Sequence, residues 1–338
     1  MRIEENYSLR GYNTFRLAVK GRWFMEYESE EELVRILRDE FFQETRSLHI
    51  GSGSNLLFLN DFNGIILHSA IKGITVVGET DDSVVLRVGA GEVWDDVVDY
   101  AVSRGWSGIE NLSLIPGESG AAAVQNIGAY GVEIKDVIET VEAYNRLTFE
   151  KQAFSNASCG YRYRSSFFKD ERNDPYVITY IHLRLSKTPR YTLHYGNLKA
   201  LAAACSPLTL PDIRRIIIDI RRQKLPDPAQ TGNAGSFFTN PIVPSAHYEA
   251  LKKTYPAIPS YPMDGDRVKI PAGWLIEQCG LKGKTYGQVG IYDKQALVLV
   301  NLGEATGDEI ALVAERIRTA VAERFGIKLM PEVHYVES

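Results

Sequence analysis

Three kinds of side chain in this sequence could do polar chemistry on a bound molecule. One is an arginine set among tyrosines: Arg164, in Gly160-Tyr161-Arg162-Tyr163-Arg164-Ser165-Ser166-Phe167. Arginine alternating with tyrosine can pair with an anion or lie over a ring, and the same pattern also describes a solvated strand face. The second is Ser236, in Gly232-Asn233-Ala234-Gly235-Ser236-Phe237-Phe238-Thr239-Asn240-Pro241. No Gly-x-Ser-x-Gly elbow surrounds it, which excludes a hydrolase nucleophile of that type, and serines in such stretches commonly only close turns. The third is Glu332, behind a proline in Pro331-Glu332-Val333, which by itself reads as a surface carboxylate. Arg221 and Lys224 are three apart at the end of a helical pattern and share a face, where the helix dipole favours cations in any case.

Two segments of small residues offer bare backbone. Gly51-Ser52-Gly53-Ser54-Asn55 presents N–H groups with little steric cover, the makings of a pyrophosphate nest. No Gly-Lys-Ser/Thr follows it and it is not Gly-x-Gly-x-x-Gly, so it is neither a Walker loop nor a Rossmann fingerprint. The second segment, 115 to 131, carries Ile115-Pro116-Gly117, Ala121-Ala122-Ala123 and Gln125-Asn126-Ile127-Gly128-Ala129-Tyr130-Gly131. As a pair of loops the two could flank one extended dinucleotide. The plainer alternatives are a tight turn for the first and close helix packing for the alanines.

Positioning such groups takes a mixed scaffold. Ser29 with Glu32 reads as a capping box, and Leu33, Ile36, Leu37 and Phe41 follow at helical spacing. Residues 48–50 form a short strand running into the first glycine segment. Val84, Leu86 and Val88 alternate as a strand, and Gly89-Ala90-Gly91 leads to a helix bearing Val93, Val97 and Ala101. Residues 177–185 alternate as another strand. Ile213, Ile216, Ile217 and Ile220 mark a helix that ends before Leu225-Pro226-Asp227-Pro228, the best candidate domain boundary. Thr306 and Glu309 form a second capping box opening a helix with Ile310, Val313, Ala314, Ile317 and Val321 on one face and Gly326 at the stop.

The chain has 338 residues, enough for two or three domains, with 44% hydrophobic and 24% charged residues. Its formal net charge of −5 argues against a general nucleic-acid binder. Cys159, Cys205 and Cys279 make no CxxC pair and no closed disulfide framework, and the six histidines include no HExxH, so no metal site is expected. No apolar run approaches a membrane span and the start lacks a signal-type apolar region. A cytoplasmic protein without membrane attachment follows as the expectation, with a monomer as the default.

In their order along nearly the whole chain, these segments resemble the UDP-N-acetylenolpyruvoylglucosamine reductase family of flavoenzymes. The motifs are Asn13-Thr14-Phe15, Gly51 to Asn55, Ile115-Pro116-Gly117, Gln125 to Gly131, Tyr163-Arg164, Lys224-Leu225-Pro226, Gly232 to Phe238, Ala272-Gly273-Trp274-Leu275-Ile276 and Pro331-Glu332-Val333. The resemblance implies an α+β architecture: a two-part FAD-binding module of the vanillyl-alcohol-oxidase type plus a separate α+β substrate-binding domain. The parts expected are 1–72 and 73–224 for FAD and 225–325 for substrate, with the tail 326–338 packing back on 1–72.

The same resemblance implies bound FAD, NADPH as hydride donor, and a UDP-sugar substrate whose enolpyruvyl ether is reduced for peptidoglycan synthesis. It gives Ser236 the role of proton donor, and Arg164 and Glu332 the role of stabilising an enol-like intermediate. Gly51, Ser52, Gly53, Ser54, Asn55, Ile115, Pro116, Gly117, Gln125, Asn126, Ile127, Gly128 and Ala129 fall on the FAD cradle. Tyr163, Tyr195, Arg221, Lys224, Asn240 and Gln295 fall on substrate contacts, with Tyr195 on a mobile loop and, with Lys224, near the diphosphate. Two competing readings remain: another oxidase or dehydrogenase on the same scaffold, and a non-catalytic nucleotide-sugar sensor.

Overall fold

The structure is a computed structural model describing residues 1–170 and 175–338. The chain divides into two compact units. One comprises Met1–Tyr7, Gly21–Ser52 and Asn63–Arg221; the other comprises Ser8–Lys20, Gly53–Phe62 and Arg222–Ser338. Segments 8–20 and 53–62, inside the first 72 residues, therefore cluster with the C-terminal third of the chain.

Two sheets make up most of the strand structure described in the first unit. Arg2–Ser8, Lys20–Tyr27, Phe62–Ser69 and Ser47–Ile50 lie side by side in that order, the last two parallel. A five-stranded antiparallel sheet runs Lys151–Ser155, Ile138–Asn145, Tyr176–Ser186, Ser83–Gly89, Ile74–Glu79. Val84, Leu86 and Val88 alternate inward as expected and are fully buried, against Trp94, Val97, Val98 and Ala101 of the helix Trp94–Ser103. Burying each such aliphatic side chain contributes about 1.5–3 kcal/mol. Val93 proves to be the N-cap of this helix and is exposed; Trp94 takes the buried place, its indole N–H donating to the Leu112 carbonyl at 3.0 Å.

Ser29 caps a helix as expected, its Oγ accepting from the Glu32 N–H at 3.2 Å, but the Glu32 carboxylate accepts from the Glu28 N–H at 2.9 Å, so the return bond of the expected box falls one residue upstream. The helix, however, stops at Leu37. Asp39 caps a new one over Glu40–Glu44, accepting from the Phe42 N–H at 3.1 Å. That break rotates the apolar stripe: Phe42 is buried and Phe41 is 44% exposed, so Phe41 does not continue the core face. A local Asp cap outcompeted the extension of the helical pattern.

On the five-stranded sheet Glu142 collects two cations and a histidine ring. Arg87 donates to both carboxylate oxygens at 2.8 Å, His182 Nε2 lies at 2.5 Å, and Lys151 Nζ at 2.6 Å. Burial alone would raise the Glu142 pKa, but Arg87, His182 and Lys151 outweigh it and hold the carboxyl well below the usual range. A carboxyl depressed on folding stabilises above its unfolded pKa and loses that contribution as pH falls through the folded value. Glu142→Gln is therefore expected to cost about 2 kcal/mol near pH 7, below the figure for a fully buried pair because Arg87 and Lys151 remain partly wet. The gap from wild type should close as pH falls below about 4.5. Urea melts at pH 7 and pH 3.5 showing the same gap would overturn this account.

The second unit contains small antiparallel sheets. Ile242–Pro244, Arg267–Lys269 and Tyr261–Met263 form one, and Thr285–Tyr286, Val289–Ile291 and Leu299–Asn301 another. The helix Gly307–Phe325 carries both bonds of the Thr306–Glu309 capping box, buries Ile310, Val313, Ala314, Ile317 and Val321, and ends at Gly326 with φ +65°, all as the sequence indicates. His334–Val336 pairs in parallel with Leu56–Phe58.

Candidate active site

In the first unit, the two segments of small residues meet. A Cβ on Gly51 would lie 3.0 Å from Glu118 Oε2 and 3.3 Å from Ala121 Cβ. The second segment is not a loop throughout, as expected from its glycines; Ser119–Gln125 is a helix with Ala122 and Ala123 buried. Gly120 is packed so that an added Cβ would be 2.9 Å from Ala90 Cβ. Close packing, the plainer reading of the alanine run, is thus part of the answer. The helix ends where Asn126 turns left-handed at φ +46°. The Asn126 amide donates to Glu133 Oε2 at 3.0 Å and to the Arg162 carbonyl at 2.9 Å.

Glu118 itself is held from below. His68 lies between two carboxylates, with Nδ1 2.8 Å from Glu26 Oε2 and Nε2 3.1 Å from Glu118 Oε1. Burial pulls the imidazole pKa down, but Glu118 and Glu26 prevail and raise it. A neutral ring has one N–H, so facing two carboxylates favours the charged form. Nothing in the sequence marked this triad: its members are 42 and 50 positions apart and share no motif.

Downstream of the helix, Gly128–Ala129 pairs with Val132–Glu133 across a tight turn in which Tyr130 (φ +50°) and Gly131 (φ +84°) are both left-handed, the primed turn that matches strand twist. Arg164 belongs to another tight turn, Arg162 to Ser165, closed by reciprocal backbone bonds of 2.9 and 3.0 Å. Its own φ is +54°, an uncommon conformation for a side chain of this size. Its guanidinium donates to the Gly128 carbonyl at 2.7 Å and lies 5.4 Å from the Tyr163 ring centre. Arg162, two residues earlier, is exposed.

Arg221 is half-buried and donates to the Leu114 carbonyl at 3.2 Å. Burial lowers its pKa; Tyr130 and Asp95 oppose that, and nearby Arg164 adds to it. An arginine still stays charged, so Arg164 and Arg221 form a cationic patch edged by Tyr130. Tyr195 is 44% exposed and packs edge-on against Tyr130 at 5.9 Å between ring centres. Ile115, Pro116, Gly117 and Gln125 lie along the same segment as Leu114, itself left-handed at φ +58°.

In the second unit, Ser236 and Glu332 are brought together. The Phe237 N–H donates to the Leu297 carbonyl at 2.8 Å, and the Glu332 N–H donates to the Phe237 carbonyl at 2.8 Å. Ser236 and Phe238 bridge to Val298 and Pro331 respectively. Phe237 and Phe238 are buried to 0% and 1% exposure and anchor the segment, while Ser236 stays exposed. Asn55 ties in the same segment: its amide donates to the Glu332 carbonyl at 3.0 Å. Asn240 accepts from the Ala272 N–H at 2.9 Å, and Gln295 Oε1 is where a Cβ on Gly273 would strike, at 2.9 Å. These two predicted substrate contacts therefore meet at the start of the helix Ala272–Gln278. Lys224 is exposed at the end of the helix Leu210–Lys224.

The first glycine segment passes from Ser52 in one unit to Gly53 in the other. Gly53 has φ +68°, and a Cβ there would sit 2.0 Å from the Tyr12 carbonyl oxygen. Beside it the Thr14 hydroxyl is buried with no hydrogen-bond partner among the described residues, although Thr14 was given no role by sequence. In the second unit an orphaned hydroxyl by a left-handed glycine fits a phosphate oxygen; in the first unit, taken by itself, Gly51 against Glu118 and Ala121 leaves no room for a side chain. Each set of residues, taken within its own unit, fits part of a dinucleotide such as FAD. Among the described residues, no group of His, Cys, Asp or Glu could hold a metal ion and no helix is long and apolar enough to cross a membrane.

Comparison with known proteins bears on the whole chain. Residues 22–146 match the family model described as FAD binding domain, and residues 227–336 match that of the UDP-N-acetylenolpyruvoylglucosamine reductase C-terminal domain. The fold is accordingly the expected flavin-binding module with a second α+β domain. The UDP-N-acetylenolpyruvoylglucosamine reductase of Bacteroides fragilis is 52% identical over 334 residues, covering 99% of this chain and 100% of the relative. That of Porphyromonas gingivalis is 51% identical over 337 residues, with coverage of 99% and 100%. The crystal structure of the reductase from Thermus caldophilus shares the fold, with a TM-score of 0.69 at 23% identity, covering 99% of both chains. The chain belongs to the UDP-N-acetylenolpyruvoylglucosamine reductase family.

Proposed function

We propose that this protein reduces the enolpyruvyl ether of UDP-N-acetylglucosamine-enolpyruvate to UDP-N-acetylmuramate, with FAD bound and NADPH as reductant, in peptidoglycan synthesis. The observation that carries the proposal is 52% identity sustained over 99% of the chain to a reductase matched along its full length. Residues 1–72 and 73–224, through the glycine segments, are assigned to FAD, and 225–325 to the UDP-sugar.

Bound FAD, once reduced by NADPH, supplies the hydride added to the terminal vinyl carbon. Negative charge then develops on the neighbouring carbon and the carboxylate attached to it. Arg164, a cation fixed by its turn and by the Gly128 carbonyl, is assigned to stabilise that charge, which preorganised groups do better than water. The Ser236 hydroxyl delivers the proton to the carbanion-like carbon; a weak acid suffices for so strong a base. Glu332 is assigned to the same developing charge, through a hydrogen bond or by orienting Arg164 or a water. Its N–H, bonded to the Phe237 carbonyl next to Ser236, supports a shared task. Tyr163, Tyr195, Arg221, Lys224, Asn240 and Gln295 are assigned to the UDP-sugar.

The test is spectroscopic. The purified protein should be yellow, bleach on adding NADPH under nitrogen, and recolour on adding the enolpyruvyl sugar. A colourless protein that takes up no FAD would refute the proposal. Lys224→Ala is expected to weaken UDP binding by about tenfold through loss of a charge-assisted bond to the diphosphate; an unchanged dissociation constant by calorimetry would remove Lys224 from the site. A cytoplasmic monomer is proposed, and light scattering at micromolar concentration tests the second part.

A further inference from the structure

Asn111 has no place in the functional reading so far, yet it lies only 1% exposed. Its side-chain amide has two N–H donors. One goes to the Tyr130 carbonyl and the other to the Thr192 carbonyl, both at 2.9 Å. These acceptors belong to different segments. Tyr130 is in the turn of the hairpin whose Gly128 carbonyl holds Arg164. Thr192 lies three residues before Tyr195, in a stretch without helix or strand between Ser186 and Leu198.

The same two segments also touch above Asn111. The rings of Tyr130 and Tyr195 meet edge-on. A Cβ on Gly131 would come within 2.9 Å of His194 Nε2 and 3.2 Å of Thr192 Cγ2. One buried amide thus holds two irregular segments in register, and that register sets the contact between the Tyr130 and Tyr195 rings. A buried asparagine serving only its own turn would spend its donors on one segment.

We propose that Asn111 is a positioning residue: its amide locks the 128–133 hairpin to the 191–197 segment and so fixes Tyr195 for the UDP-sugar. The inference rests on the assignment of Tyr195 to substrate.

The test is a pair of double-mutant cycles in the FAD-loaded enzyme, Asn111→Asp with Tyr195→Leu and Tyr130→Leu with Tyr195→Leu. Asn111→Asp keeps the size and removes both donors. Because two buried carbonyls then lose their partners, KM for the enolpyruvyl sugar should rise about tenfold, with kcat and the rate of flavin reduction by NADPH near wild type. In the Tyr195→Leu background neither second substitution should raise KM further. Additive effects on KM, or a fall in kcat with KM unchanged, overturn the proposal. Should Asn111→Asp not fold, the Tyr130→Leu cycle decides by the same criterion. A wild-type protein that does not turn over the sugar would instead refute the functional reading.

Discussion

Ser236→Ala is expected to slow reduction of the enolpyruvyl sugar by about 10² to 10⁴-fold, the usual contribution of a general acid, while NADPH reduces the bound flavin at a near-normal rate. The separation follows from chemistry. Only the substrate half-reaction needs a proton placed on carbon. Ser236 is anchored from both sides, by Phe237 and Phe238 buried at 0% and 1% exposure and by bridges to Val298 and Pro331. Removing one exposed oxygen leaves those supports intact, so stability should hardly change. Gly235, at φ +67° and tied by its N–H to Asn233 Oδ1 at 2.9 Å, keeps the same turn. Stopped-flow absorbance under nitrogen resolves the two half-reactions. Equal slowing of both would show that the loss came from misplaced flavin, and Ser236 would not be the donor. Ser236→Cys, which restores an acidic hydrogen at the same position, should recover part of the rate.

Gly53→Ala is expected to be the most damaging small substitution for the fold, costing on the order of 4 kcal/mol or more. Two effects add. The backbone is left-handed at φ +68°, which costs about 1–2 kcal/mol for any residue with a Cβ. In addition the new methyl would lie 2.0 Å from the Tyr12 carbonyl oxygen and 2.9 Å from Asn13 Cα. These are backbone atoms, and they cannot swing aside. Gly280 supplies the control, because it has the same φ of +68° with nothing within 4 Å of an added Cβ. Gly280→Ala should show the backbone strain alone. Urea denaturation of both variants separates strain from clash, and equal costs would mean the approach to Tyr12 is unimportant. Since the Thr14 hydroxyl lies beside this glycine, Gly53→Ala should also lose FAD on gel filtration.

Periodic elements were the legible part of the sequence. The helix Gly307–Phe325 could be drawn residue by residue from its capping box, its apolar stripe and its terminal glycine, since all three signals are local. Leu37 to Phe42 shows the limit: the apolar spacing ran on to Phe41, and one aspartate cap divided it. The Gly/Ala run read as a loop for a related reason. Small residues are used both where backbone must be bare and where helices pack closely, and composition alone cannot separate the two. In the candidate site, Ser236, Glu332 and Arg164 were visible only through motif order. Neither the backbone bond that sets Glu332 beside Ser236 nor the left-handed φ of Arg164 has a local signature. The His68 bridge and the Asn111 clamp were invisible, because hydrogen bonds between groups dozens of positions apart leave no period in a sequence.

The parallel pairing of His334–Val336 with Leu56–Phe58 also has a consequence in time. Leu57 and Phe58 are fully buried in the finished unit, yet Asn55 and Glu332, joined at the head of this pairing, are 277 positions apart. At typical bacterial elongation of about 5–20 residues per second, the early strand waits roughly 15 to 60 s for its partner to be synthesised. Throughout that interval an apolar strand edge stands open on the ribosome-bound chain, the kind of surface chaperones bind. Completion of this unit therefore waits for residues 334–336, and a fragment starting at Arg222 would lack segments its own unit requires.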